Sequence, residues 1–98
     1  MPRMLLLALL VFSQQVIAEE FTCRSGNEVR IISVEYEHKG WSVPCRVKYE
    51  KPAEDLVEYP WRANATPGYC EDRAAFLASK LENWGWVCTR TDATPGND

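Results

Sequence analysis

The chain has 98 residues, with 11 Lys+Arg against 14 Asp+Glu, a formal net charge of −3, one His and four Cys. This acidic balance lacks the basic face that a nucleic-acid partner requires and gives no pull toward anionic headgroups. A chain this short has room for one small domain, and a core of that size needs staples.

The N-terminus reads as a leader. Met1-Pro2-Arg3 is a basic start, Met4 to Phe12 an apolar run, and Ser13 to Ala18 a polar exit ending in the small residues that signal peptidase accepts, Val16 and Ala18. The expectation is a cleaved signal peptide over residues 1–18, with no membrane insertion afterwards, because the run is far short of the ~20 residues a bilayer span needs. Cys23 does not directly follow the apolar run, which argues against a lipid anchor. Cleavage removes Arg3 and leaves ten basic against fourteen acidic residues, a charge of −4.

Glu28 to Glu37, E-V-R-I-I-S-V-E-Y-E, is rich in β-branched residues and reads as a strand. Its alternation slips at Ile31-Ile32, as it would at a bulge or in a strand with both faces partly covered. After a turn near His38-Lys39-Gly40, Val43, Cys45, Val47 and Tyr49 alternate with Pro44, Arg46, Lys48 and Glu50 in a half-buried strand. The third strand offers Val57, Tyr59, Trp61 and Ala63 on one face. Pro60 cannot donate to a ladder, which places this strand at a sheet edge.

Thr66-Pro67-Gly68 breaks the chain, and a helix follows from Tyr69 to Trp84, with Glu71 and Asp72 at its positive N-terminal end. Cys70, Ala74, Leu77, Leu81 and Trp84 form the stripe expected to lie on the sheet, with Phe76 beside it and Lys80 at its edge. Gly85 fits the left-handed position that ends a helix. In such a cap the next residue, Trp86, packs back on Leu81.

An even number of cysteines behind a leader reads as two disulfides, and none is spaced for zinc. A helix from 70 to 84 is ~21 Å long and four extended residues return at most ~14 Å, so Cys70 and Cys88 lie too far apart for comfortable bridging. With Cys45 and Cys70 at one end of the sheet and Cys23 and Cys88 at the other, the favoured bridges are Cys45–Cys70 and Cys23–Cys88. In the chain-entropy model they stabilise by roughly 3.5 and 4.4 kcal/mol. The expected fold class is α+β: a three-stranded antiparallel meander packed by one C-terminal helix plus a short final strand, two disulfides. The domain covers residues 19–90, and 91–98 form a disordered tail.

Chemistry is sparse. His38 sits in a polar turn, the thiols are taken by bridges, and no phosphate loop, nucleophile elbow, metalloprotease helix or calcium loop occurs. No catalytic residue, metal site or cofactor is expected. Glu54-Asp55, Glu71-Asp72 and Glu35 with Glu37 are acidic pairs that could serve a small hydrolase, and Glu35 and Glu37 share one strand face as a general acid/base couple would. The surface suited to binding centres on Trp41 with His38 and Lys39. These form either an amphipathic tip or a turn whose tryptophan folds back over the sheet edge. Trp61 and Arg62 add a second candidate, pointing to opposite sides of the third strand.

Val43 to Lys51 (V-P-C-R-V-K-Y-E-K), Trp61 to Ala63, Gly68 to Cys70 and Gly85 to Cys88 together resemble a family of small exported four-cysteine proteins of Gram-negative bacteria. The resemblance implies the periplasm and no particular reaction. The opening F-T-C-R-S-G-N-E-V-R also resembles the start of periplasmic lysozyme inhibitors, which are small β-barrels without this helix; their inhibitory loop has no match here. The expected function is therefore a non-enzymatic binding or interaction protein, periplasmic or secreted, with a protein or glycan partner. The alternatives are an inhibitor of a cell-wall hydrolase and a small hydrolase using paired carboxylates.

Overall fold

In the computed structural model, which describes residues 19–92, five strands form one antiparallel sheet in the order β4-β3-β2-β1-β5. They are β1 (Glu19–Ser25), β2 (Glu28–Tyr36), β3 (Cys45–Lys51), β4 (Leu56–Ala63) and β5 (Val87–Asp92). A single helix, α1 (Tyr69–Asn83), packs on one face, and a 3-10 turn (Pro52–Glu54) joins β3 to β4. The signal-peptide reading of residues 1–18 lies outside the described residues, as does 93–98 of the tail. Thr91 and Asp92 belong to β5, paired with Glu20 and Glu19, so the sheet runs two residues past the expected boundary.

The expected meander is present as β2-β3-β4, but the sheet is wider. β1 precedes it, joined to β2 by a two-residue turn at Gly26-Asn27 with Ser25 opposite Glu28. Gly26 has φ +63°, and glycine first in a two-residue loop is the pattern of a type II′ hairpin. β1 leaves little periodic trace because only Phe21 and Cys23 of its seven residues are buried.

β2 pairs continuously with both neighbours, so the Ile31-Ile32 slip is not a bulge. Ile32 is fully buried under α1, and Ile31 lies on the open face, partly shielded by its neighbours. The bulge lies in β4 instead. Val47 pairs with Trp61 but Tyr49 pairs with Glu58, which leaves Tyr59 and Pro60 both opposite Lys48. That extra residue reverses the alternation. Trp61 and Ala63 face the helix as expected, whereas Val57 and Tyr59 turn to the open face, the latter under the Arg46 guanidinium at 4.0 Å. Pro60, with no N–H to donate, sits at this irregularity in an edge strand.

The core lies between sheet and helix. Phe21, Ile32, Val34, Val47 and Tyr49 of the strands meet Ala74, Leu77, Ala78 and Leu81 of α1. Both bridges form as favoured, Cys23–Cys88 and Cys45–Cys70. Cys23 and Cys88 are directly opposite on β1 and β5, so their bridge ties two neighbouring strands, and Cys45–Cys70 ties sheet to helix.

The C-terminal end of α1 is a Schellman cap. The Trp86 N–H donates to the Leu81 carbonyl and the Gly85 N–H to that of Glu82, both at 3.0 Å, with Gly85 at φ +101°. This turn swings Trp86 onto the core. Trp84, expected on the buried stripe, is 65% exposed, because it falls at the margin of that stripe, on the side of Lys80.

Candidate functional site

The β2–β3 loop projects from one end of the sheet. Its base is closed by the Glu37 N–H donating to the Pro44 carbonyl at 3.0 Å, and its tip by Trp41 N–H to His38 carbonyl at 3.1 Å. Gly40 supplies the positive φ of the tip, +83°. The His38 and Trp41 rings lie 4.5 Å apart and tilted, and Trp41 is 60% exposed. Trp41 therefore stacks on its own loop instead of folding over the sheet edge, with Lys39 exposed beside it. Trp61 and Arg62 are separated by the strand between them. Trp61 meets Phe76 of α1 edge-on at 6.2 Å, and Arg62 lies on the open face.

Next to the loop base, on the open face, is a shallow pocket of about 320 Å³ lined by Glu35, Glu37, Pro44, Arg46 and Arg62. Register explains the arrangement: Glu35 pairs with Arg46, and Arg46 with Arg62, across three adjacent strands. Arg46 donates through Nε to Glu35 Oε1 at 2.9 Å, and Lys48 Nζ lies 3.6 Å from Glu35 Oε2. The Lys48 ammonium is held above its ordinary pKa, first by Glu50 and then by Glu35. Both oxygens of Glu35 are thus engaged by cations of the neighbouring strand. Glu35 and Glu37 do flank one pocket, but Glu35 serves to bind cations of its own sheet.

Behind the pocket, on the helix side, the Tyr36 hydroxyl donates to Glu71 Oε2. Burial first, then this hydrogen bond, raises the Tyr36 pKa well above the ordinary phenol value. Glu71 Oε1 is buried without a hydrogen-bond partner among the described residues.

A further surface was not apparent in the sequence. Along the β4 side of α1, aromatic rings and cations alternate. Arg73 lies 5.2 Å from the Trp61 ring and 4.4 Å from Phe76, and Lys80 lies 5.6 Å from both Phe76 and Trp84. The spacing 73, 76, 80, 84 is readable in the sequence, but joining it to Trp61 requires the tertiary fold.

No group of three His, Cys, Asp or Glu side chains suited to a metal ion occurs among the described residues, and no described helix is long and apolar enough to cross a membrane. No family model, curated protein or solved structure matches the chain.

Proposed function

We propose that the chain is an exported, non-enzymatic binding protein of the bacterial periplasm, and that the β2–β3 tip is its contact point with a protein or glycan partner. The observation that carries this reading is Trp41, 60% exposed at the end of a projecting loop and braced by His38. A solvent-facing tryptophan offers a large apolar contact area, and tryptophan is enriched among residues that dominate binding energy. The two disulfides accord with an oxidising compartment, and the leader-like N-terminus with export. The ion pairs that occupy Glu35 favour binding over a hydrolase built on paired carboxylates.

The test is cross-linked capture from a periplasmic extract by the oxidised chain from residue 19 onward, alongside its Trp41→Ala form. A partner recovered by the wild type and depleted about tenfold or more with Trp41→Ala is expected, a loss of the size a central aromatic contact carries. Equal recovery by both forms contradicts the reading, and no recovery by either contradicts a protein partner and turns the test to glycan fragments titrated against the wild type and Trp41→Ala. A murein hydrolase as the captured partner would bring the inhibitor reading to the front, to be decided by assaying that hydrolase with and without the oxidised chain.

A further inference from the structure

The β4 flank of α1 presents a second surface, independent of the Trp41 tip. At 3.6 residues per turn, Tyr69, Arg73, Phe76, Lys80 and the capping Trp84 fall in one stripe, about a quarter-turn from the face that packs on the sheet. Successive steps of four, three, four and four residues are the rhythm of a helix–helix seam. Phe76 is 42% and Trp84 65% exposed, and Trp61 widens the stripe from β4. Neither Arg73 nor Lys80 has a carboxylate partner among the described residues; their near neighbours are aromatic rings. Glu71 and Glu82 fall on the opposite flank, Glu71 being engaged by Tyr36, and exposed Asp72 borders the stripe one turn before Phe76. On a chain of net negative charge, α1 thus gathers its two cations and its exposed rings on one side.

We infer that this flank is a docking seam for an amphipathic helix of a partner protein that carries acidic residues seven apart with apolar residues between them. Arg73 and Lys80 are separated by seven residues, about 10.5 Å along the axis, and carboxylates at i and i+7 of a second helix repeat at the same distance. An extended peptide does not fit this spacing, since residues on one side of a strand recur at about 6.7 and 13.4 Å. A second copy of the chain does not fit either. A two-fold axis through the middle of the seam sets Arg73 against Lys80, and a parallel pairing sets each cation against itself. Docked carboxylates would meet Arg73 and Lys80, while the partner's apolar residues would cover Phe76 and Trp84.

The test uses two synthetic helical peptides of identical leucine-rich seam, one with Glu and one with Lys at the two positions seven apart, titrated into the full oxidised chain. Heteronuclear NMR shifts report the site. The acidic peptide is expected to shift α1 and Trp84 resonances and to bind at least about tenfold more tightly than the basic one, the discrimination that two opposed charge pairs supply. The Arg73→Glu/Lys80→Glu double variant should reverse that preference, while Trp41→Ala leaves it intact. Failure to bind, equal binding of both peptides, or an unreversed preference overturns the seam. So does binding of the chain to vesicles of anionic phospholipid in place of the acidic peptide, which would assign the flank to a lipid surface. Because the Trp41 tip is untouched by these variants, failure here leaves the proposed function standing, and failure of the Trp41 capture leaves the seam standing.

Discussion

The Tyr36 hydroxyl reaches from β2 across to Glu71 in the first turn of α1, beside the Cys45–Cys70 bridge, so one hydrogen bond helps fasten helix to sheet. Burial and the carboxylate keep this phenol protonated in the folded chain at pH values where an unfolded tyrosine, with a pKa near 10, has ionised. The sign follows. The stability from a raised pKa is complete below pH ~10 and is lost as the pH climbs toward the folded-state value. Tyr36→Phe removes the donor to Glu71 Oε2 and leaves both oxygens without a partner, at a cost of about 1–3 kcal/mol near neutral pH. Urea unfolding should show that gap between wild type and Tyr36→Phe at pH 7 and a narrower one at pH 11. A gap that stays constant would mean the hydroxyl does not titrate differently on folding. Within the loop, the His38–Trp41 pairing was within reach of sequence reading because a turn brings nearby residues together. The partners of Trp61 and Arg62 were not, since they come from α1 and from β2–β3.

Glycine at position 85 shows how a single backbone requirement shapes an element. Its φ of +101° lets the Schellman turn close, and nothing lies within 4 Å of where a Cβ would stand. Gly85→Ala should therefore cost only the backbone term, about 1–2 kcal/mol, with the midpoint of urea unfolding lowered and its slope unchanged. An unchanged or raised midpoint would contradict the cap. This helix end, the edge position of β4 and the β2-β3-β4 meander could all be read from local chemistry: a glycine after a periodic stripe, a proline inside a strand, alternation between turns. β1 could not, because two inward residues make too short a pattern. The faces of Val57 and Tyr59 were misassigned for a different reason. Proline marks an edge, but nothing in the sequence says that the partner strand will place one residue against two. Trp84 was misplaced because it falls at the margin of the buried stripe, on the side of Lys80, and the residue that the cap turns onto the core is Trp86.

At the scale of the whole molecule, one helix of 15 residues covers one face of a five-stranded sheet, and the largest fully buried side chains are Ile32, Leu81 and Val47. That is a thin core, and the bridges hold it at both ends. Their pairing followed from sequence because the ends of the sheet could be ordered even though β1 was missed. Cys23 sits near the turn between β1 and β2, the end that Cys88 also reaches after α1 has crossed the sheet. Two bridges accord with an oxidising compartment, the setting that the proposed function assumes. The most direct test is intact-mass and non-reducing peptide mapping of the full-length chain expressed in a Gram-negative host, with periplasm and cytoplasm separated. The account predicts periplasmic protein that begins at Glu19, lacks four thiol hydrogens and contains only the Cys23–Cys88 and Cys45–Cys70 linkages. Reduced cytoplasmic protein that retains residues 1–18, or a different pairing in the folded form, would contradict it.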